Sequence, residues 1–491
     1  MHRIISQKRN EISRVNFFFR KNLFLLLPFL LSANFCFSQF HESPSDSNAK
    51  NFIIIHHITL EGNHRTRTQI IMRELTFTIG DTIAGDDVMK ELEQSRNQVM
   101  NTGLFNEVVV NIKTWVNDSM DIMVSVKERW YFLPLPTANL YDRNFNVWWV
   151  EHDHDIRWLQ AGVHFYQKNL TGRNDELKGS ILLGFQRRLD GTYSLPYFDY
   201  IQKHGMSISA SLTESKNVTA KVDSNKELVV QDVNTYLRSV FQTSVDLFYK
   251  PKFHYRYTLT LGYKNSSIRD TIALANPAYF GDTATRQRYL YATLTFVTDF
   301  RDLNAYPLRG YYFNVSISKL GLGFFHDVDL WQTNAAFSLY LPLGKKWFLA
   351  SVNKVKVTFP EKQPYNLQRG LGYGNDYVVG YEYYAIDGQG FGFTKLNLKK
   401  EIFKVQMKTG INNPFVKGAN VTFALYGKVY GDAGYVYNTN SSIDNALDNK
   451  WLIGSGIGID LVLLYDTTLR LEYSINKLGE HGLFFHGDTY F

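Results

Sequence analysis

The chain has 491 residues, of which 15% are aromatic, with 31 Tyr and 36 Phe. That is more than helix-rich soluble enzymes usually spend, and Tyr and Phe suit sheets and membrane interfaces. The formal charge of +7 is concentrated at the N-terminus: residues 1–38 hold six of the 53 basic residues and one of the 46 acidic ones, so the remainder carries +2. A balance so near neutral gives no support to a nucleic-acid partner.

The N-terminus predicts a secretory signal over 1–38. Arg3, Lys8, Arg9, Arg14, Arg20 and Lys21 form a basic region, the apolar run Leu23 to Leu31 follows, and Cys36 and Ser38 stand at −3 and −1 of a cut before Gln39. Removing this segment removes the only cysteine, so the mature chain forms no internal disulfide. After residue 40 no apolar run approaches the roughly 20 residues of a membrane helix. Those features leave the periplasm, the cell surface or an outer-membrane barrel.

A linker over 39–50 leads to a small module over 51–130. Phe52 to Leu60 reads as a strand ending at the turn Glu61-Gly62-Asn63. Residues 66–75 read as a helix, with Ile70, Ile71 and Leu75 at helical spacing and Thr66 as N-cap. The turn GDTIAGDD, with Gly80, supplies a second cap at Asp86 or Asp87. A helix from Val88 to Thr102 then stops at Gly103. Strands are predicted from Leu104 to Lys113, with Phe105, and from Met120 to Arg129.

From about residue 131 to 491 the pattern has period two. Met206, Ile208, Ala210 and Leu212 alternate with serines. Tyr257, Leu259, Leu261 and Tyr263 alternate with Thr258, Thr260, Gly262 and Lys264. Phe313, Val315 and Ile317 alternate with Asn314, Ser316 and Ser318, and Leu469, Leu471, Tyr473 and Ile475 oppose Arg470, Glu472 and Ser474. Segments of about ten residues with one small or charged face, recurring about every 22 residues, predict an antiparallel transmembrane β-barrel of about 16 strands. The chain ends on an aromatic residue, Phe491, although Thr489 stands where a second apolar residue is usual.

Enzyme chemistry is not expected. There is no G-x-S-x-G elbow and no H-E-x-x-H pair. The cluster Glu151-His152-Asp153-His154-Asp155 could ligate a metal but sits at an early hairpin turn and reads as a solvated loop. Asp299 and Asp302 read as turn residues rather than an acid pair. GSGIGID (454–460) lacks the strand-to-helix context of a nucleotide-binding motif. No cofactor and no metal are expected.

The motifs carry a family resemblance. IIHHITLEGNHRTRTQIIMREL, then GDTI, then NTGLFNEVVV resembles a POTRA (polypeptide-transport-associated) domain, through Gly62, Asn63, Gly80, Gly103, Leu104 and Phe105 among others. QKNLTGRND (167–175), SLPYFD (194–199), VTDFRDLNAYPLRGYYF (297–313) and YGDAGYV (430–436) resemble the BamA-like outer-membrane assembly and secretion superfamily. The third carries that family's strand-turn-strand residues, Asp299, Arg301, Asp302, Pro307, Arg309 and Gly310. The fourth carries its F-x-D-x-G strand, with Asp432 and Gly434.

The resemblance implies an N-terminal α+β POTRA domain (β-α-α-β-β) in the periplasm, followed by an all-β barrel in the outer-membrane lipid bilayer. The partners it implies are unfolded or secreted client proteins, with periplasmic chaperones or accessory assembly subunits. Clients would pair with an open edge of the POTRA sheet. They would also use a seam between the first and last barrel strands, near Leu133–Tyr141 and His481–Phe491. It implies, too, that residues 360–390, a glycine- and tyrosine-rich loop, fold into the lumen. There an arginine at the loop tip would pair with Asp432. The tip here is Val378-Val379-Gly380-Tyr381, with Val379 in the arginine's place, which leaves Arg369 as a candidate partner for Asp432. The departure also supports an alternative: a passive pore or structural surface-antigen barrel that has lost transport.

Overall fold

The computed structural model describes residues 52–489 apart from 141–144, 152, 200, 202, 233, 253, 409–419, 440–444 and 464–466. The signal, Phe491 and His152 therefore lie outside the described residues.

The N-terminal domain is a mixed sheet covered by two helices. Its strands are β1 (Phe52–Glu61), β2 (Thr82–Ala84), β3 (Phe105–Val116) and β4 (Ser119–Glu128), in the order β2-β1-β4-β3. β1 and β4 run parallel; the other neighbours are antiparallel. Period-two burial on β4 sends Met120, Ile122 and Val124 into the core against Ile71, Val99 and Phe105. The 12-residue β3 forms one edge, whereas β2 covers only Phe52 to Ile54 of the other.

Three expectations are corrected. The first helix, α1, spans only Thr68–Met72, and its N-cap is Arg67. Thr66 is committed elsewhere: its N–H donates to the Glu128 carboxylate and its hydroxyl bonds the hydroxyl of Tyr131 and accepts from Asn169 Nδ2. The second helix, α2 (Val88–Asn101), has no side-chain cap from Asp86 or Asp87, because a 3-10 turn over Gly85–Asp87 leads into it. The short strand β2 was not anticipated.

Sixteen strands then form one antiparallel sheet. They are β5 (Phe132–Leu140), β6 (Leu159–Lys168), β7 (Glu176–Leu183), β8 (Gln186–Leu195), β9 (His204–Ser215), β12 (Arg238–Tyr249), β13 (Tyr255–Ile268), β14 (Arg286–Asp299), β15 (Gly310–Leu320), β16 (Leu330–Gly344), β17 (Trp347–Phe359), β20 (Gly390–Lys408), β21 (Asn420–Tyr437), β22 (Trp451–Leu463), β23 (Thr467–Asn476) and β24 (His481–Thr489). A hairpin of β10 (Asn217–Asp223) and β11 (Lys226–Gln231) interrupts the series, and a two-stranded ribbon, β18 (Arg369–Leu371) and β19 (Ile386–Asp387), lies within the long loop. Helix α3 (Phe145–Glu151) follows β5, and helix α4 (Asp270–Ala275) follows β13.

Register converts the alternation into two surfaces. Leu247, Leu259, Leu294 and Ile317 are direct neighbours on β12 to β15 and form one row. All four are 38–58% exposed. One residue along, Ser207, Asp246 and Thr260 form the opposite row, where the Asp246 carboxylate accepts from both hydroxyls at 2.9 and 2.6 Å. An apolar row this long with no partner among the described residues is stable against hydrocarbon, while the polar row lines the interior.

β5 follows the N-terminal domain directly, so odd-numbered positions in the barrel series run away from that domain. The domain is tied to the near rim. Arg67 N donates to Gly172 O at 2.9 Å, Asn169 joins Thr66 and Tyr131, and the Arg73 guanidinium lies 3.7 Å from the Tyr197 ring centre. The Glu128 carboxylate receives the Arg65 and Thr66 N–H groups at 2.6–3.1 Å. Partial burial pushes its pKa up, but these bonds outweigh that and hold it below the ordinary value.

Candidate functional site: the lumenal loop and the inner wall

The loop over 360–390 leaves the far rim after β17 and returns through the lumen to β20. Its outer part is held by tyrosines. Tyr365 and Tyr373 each donate to the Asp387 carboxylate at 2.6 Å, and Tyr384 donates to Glu480 at 2.6 Å. Lys354 reaches the Asp376 carboxylate at 2.6 and 2.7 Å. The hairpin tip of β10 and β11 docks from outside, where Asn225 O accepts from Ala385 N at 2.9 Å.

The tip residues Val378, Val379 and Tyr381 are all buried. Gly380 has φ +80°, the left-handed turn that glycine allows. The wall opposite is flat because it is made of glycine. A Cβ on Gly434 would sit 2.5 Å from Val378 Cγ2, and one on Gly454 would sit 1.9 Å from Val379 O. Asn476 Nδ2 donates to Gly380 O at 2.7 Å.

Asp432 is buried beside this tip and accepts from Val379 N at 3.3 Å. Its nearest cation is Lys395, whose Nζ is 4.0 Å away. The two residues are direct cross-strand partners on β20 and β21. Lys395 Nζ also lies 3.6 Å from the centre of the Tyr377 ring. The wall thus supplies the cation that the tip lacks, and a loop aromatic sits on it. Arg369 does not take this role: its guanidinium stacks 4.7 Å over Tyr373. It stands on β18, whose ribbon with β19 keeps it in the outer part of the loop.

Tyr377 stacks on His486 of the last strand at 5.1 Å. From there a chain of contacts crosses the wall. His486 Nδ1 meets Glu472 at 2.7 Å, Lys428 bridges Glu472 and Asp460 at 2.6 Å each, and Tyr306 donates to Asp460 at 2.8 Å. Lys395, Lys428, Asp432, Asp460 and Glu472 border a cavity of about 320 Å³.

Tyr306 is the centre of the near-rim turn between β14 and β15. Asp299 holds Arg301 through two bonds at 2.7 and 2.9 Å. One oxygen of Asp302 accepts from Leu303, Leu308 and Arg309 N–H groups at 2.9–3.2 Å. Gly310 has φ +93°, and a Cβ there would strike Phe300 O at 1.9 Å. Pro307 follows Tyr306 and lines the cavity. These residues build a rigid turn whose product is the inward Tyr306.

In the N-terminal domain, Gly62, Gly80 and Gly103 all have positive φ at turns, Asn63 Nδ2 donates to Thr66 O at 3.1 Å, and Leu104 and Phe105 are core. Asp153 and His154 lie in a turn after α3, and among the described residues no group of three His, Cys, Asp or Glu side chains is placed to hold a metal.

Sequence reasoning missed Lys395, Tyr306 and the Lys428–Glu472–His486 chain. The signal of Lys395, Lys428, Glu472 and His486 was present as polar residues on the face opposite the apolar one, but pairing them requires the register, and Tyr306 in its turn carried no local mark of its partner Asp460.

Comparison with known proteins agrees with this architecture. The model of the Omp85 superfamily domain matches residues 169–476, and a POTRA model, described as a surface antigen variable number repeat, matches residues 53–129. Among curated proteins none matches. Among solved structures the chain is similar to BamA from Haemophilus ducreyi lacking POTRA domains 1-3, with TM-score 0.57, 16% identity and coverage of 89% of this chain and 85% of that one. It is also similar to CdiB from Escherichia coli, with TM-score 0.56, 12% identity and coverage of 89% and 75%. At these identities the likeness is one of fold. The domain match spans well over half the sequence and the barrel and POTRA units stand in the same order, so the chain belongs to the Omp85 superfamily and is an outer-membrane β-barrel with its POTRA domain in the periplasm.

Proposed function

We propose that this protein inserts other proteins into the outer membrane, and that clients pass sideways at the seam between β5 and β24 rather than through the lumen. Omp85 proteins serve insertion or secretion, and the observation that favours insertion here is the occupied lumen. The loop tip is buried against Gly434 and Gly454 and held at Asp432, Asn476 and Tyr377. A polypeptide threading the lumen has to break all of these contacts at once. A polypeptide entering at the seam breaks none of them. The sheet order runs from β24 to β5, with no ladder between these two among the described residues. A strand edge in hydrocarbon is costly, and pairing with a client strand relieves it. The β3 edge of the POTRA sheet offers 12 residues of backbone for a first, sequence-tolerant contact. No nucleotide, metal or cofactor enters the step.

The passive-barrel alternative drew on Val379. The tip is seated without an arginine, through Lys395, Tyr377 and Asn476, and that supports retained transport.

The test is client folding in proteoliposomes. The rate at which an unfolded barrel client becomes protease-resistant is followed for the wild type and for a POTRA deletion. A third sample has its loop pinned by a thiol crosslinker between Tyr384→Cys and Glu480→Cys. Acceleration by both wild type and pinned protein, lost on POTRA deletion, is expected. Loss of activity on pinning refutes the sideways route. A wild type no faster than empty liposomes refutes insertion and leaves the passive barrel.

A further inference from the structure

The far-rim helix α3 makes an unusual contact with the last strand. Phe485 pairs with Leu471 across β23 and β24, but its own N–H and C=O point away from β23. Both are taken by one side chain. Asn146 Oδ1 accepts from Phe485 N at 3.0 Å, and Asn146 Nδ2 donates to Phe485 O at 3.2 Å. A primary carboxamide offers the same donor and acceptor pair as a peptide group, and here it binds the strand as a neighbouring strand would. Asn146 is 5% exposed. Beside it the Phe145 ring meets the Phe485 ring edge-on at 5.3 Å, and Trp148 and Trp149 pack on Phe145. Trp149 and Val150 are exposed, and Trp149 packs through Phe145 on Phe485, whose cross-strand partner Leu471 belongs to the exposed apolar row that faces lipid. Tryptophans at a barrel rim anchor at the membrane interface.

Resting on the insertion reading, we infer that Asn146 is a latch on the β24 edge: a one-residue substitute strand that an incoming client strand displaces. The site it occupies is specific for extended backbone, because any peptide unit can replace the carboxamide and continue the ladder along β24. Phe145 and the two tryptophans hold the latch at the outer leaflet. Displacement moves α3 into the interface without breaking any lumenal contact described above.

Two measurements on the full-length protein test this. The first is residue-resolved amide exchange in nanodiscs. Asn146→Ala is expected to speed exchange of the Phe485 amide at least tenfold while Phe484 and His486, whose amides face β23, stay unchanged. Should the alanine variant fold poorly, Asn146→Leu keeps the size but loses both the donor and the acceptor, and the same increase is expected. The second is the proteoliposome rate. Asn146→Ala is expected to speed client folding, and a cleavable thiol crosslink between Phe145→Cys and Phe485→Cys is expected to slow it at least tenfold until cleaved. An unchanged Phe485 amide overturns the edge contact. A crosslinked form as fast as the cleaved one overturns the latch while leaving insertion intact. A wild type with no activity refutes insertion and the client's role together, and the amide exchange then decides alone whether Asn146 holds the edge.

Discussion

Replacing Lys395 by Met isolates what seats the loop tip in the absence of an arginine. The substitution keeps a long apolar stem over Tyr377 but removes the charge 4.0 Å from Asp432 and 3.6 Å from the Tyr377 ring centre. Removing one partner of a buried ion pair costs about 3–5 kcal/mol. The separation is long and Val379 N still donates to the carboxylate, which places the ionic loss at the low end. The methionine sulfur recovers part of the aromatic contact. A net loss of about 3 kcal/mol lowers the ratio of seated to unseated tip by roughly a hundredfold. The assay is amide exchange over residues 377–384, read against β22 as an internal standard. About a hundredfold faster exchange is expected in Lys395→Met. Adding Val379→Arg to that variant returns a cation to Asp432 from the loop side and is expected to restore most of the protection. An increase below threefold, or no rescue in the double variant, refutes the assignment of Lys395 as the substitute cation.

Three further outcomes follow from the geometry. Tyr306→Phe removes the donor to buried Asp460 and is expected to cost about 1–3 kcal/mol, read as a lower midpoint for loss of the folded, heat-modifiable band on gels. Thr66→Val breaks the Tyr131–Thr66–Asn169 junction and loosens the POTRA domain on the rim, leaving the Arg67–Gly172 and Arg73–Tyr197 contacts, which a spin-label distance between the domain and a near-rim turn will show as a broader distribution. Glu128 is held below its ordinary pKa, so the stability its bonds to Arg65 and Thr66 contribute is complete above about pH 4.5 and is lost as pH falls through the lowered value, which loosens the Thr66 that meets the rim residue Asn169. The same distance measured between pH 6 and 3 is expected to broaden in the wild type and to be flat in Glu128→Gln.

What the sequence made legible follows from the physics of each signal. Strand alternation such as that of Leu469 to Ile475 reports which side faces lipid, because side chains alternate by construction. The turn from Asp299 to Gly310 was readable because each residue acts on its own neighbours. The Lys395–Asp432 pair was not, since it depends on how β20 registers against β21, and neither strand carries that register locally. Thr66 was misread as a helix cap because its partners, Tyr131 and Asn169, lie 65 and 103 residues away. Asn146 was invisible for the same reason: its strand lies 339 residues further on. Val379 looked like a lost interaction only as long as the inner wall was unknown.

The hairpin β10–β11 has a consequence for permeation. Its Val218 packs with Ile268, Ile272, Tyr279, Phe280 and Tyr365 into an apolar cluster that joins the hairpin, α4 and the start of the lumenal loop. This is a small hydrophobic core built across the outer mouth of the barrel. A core in this place is expected to make the protein a poor conduit for ions even though its wall is polar. In a planar bilayer the protein should therefore be electrically quiet, and trimming residues 217–231 should make it conduct.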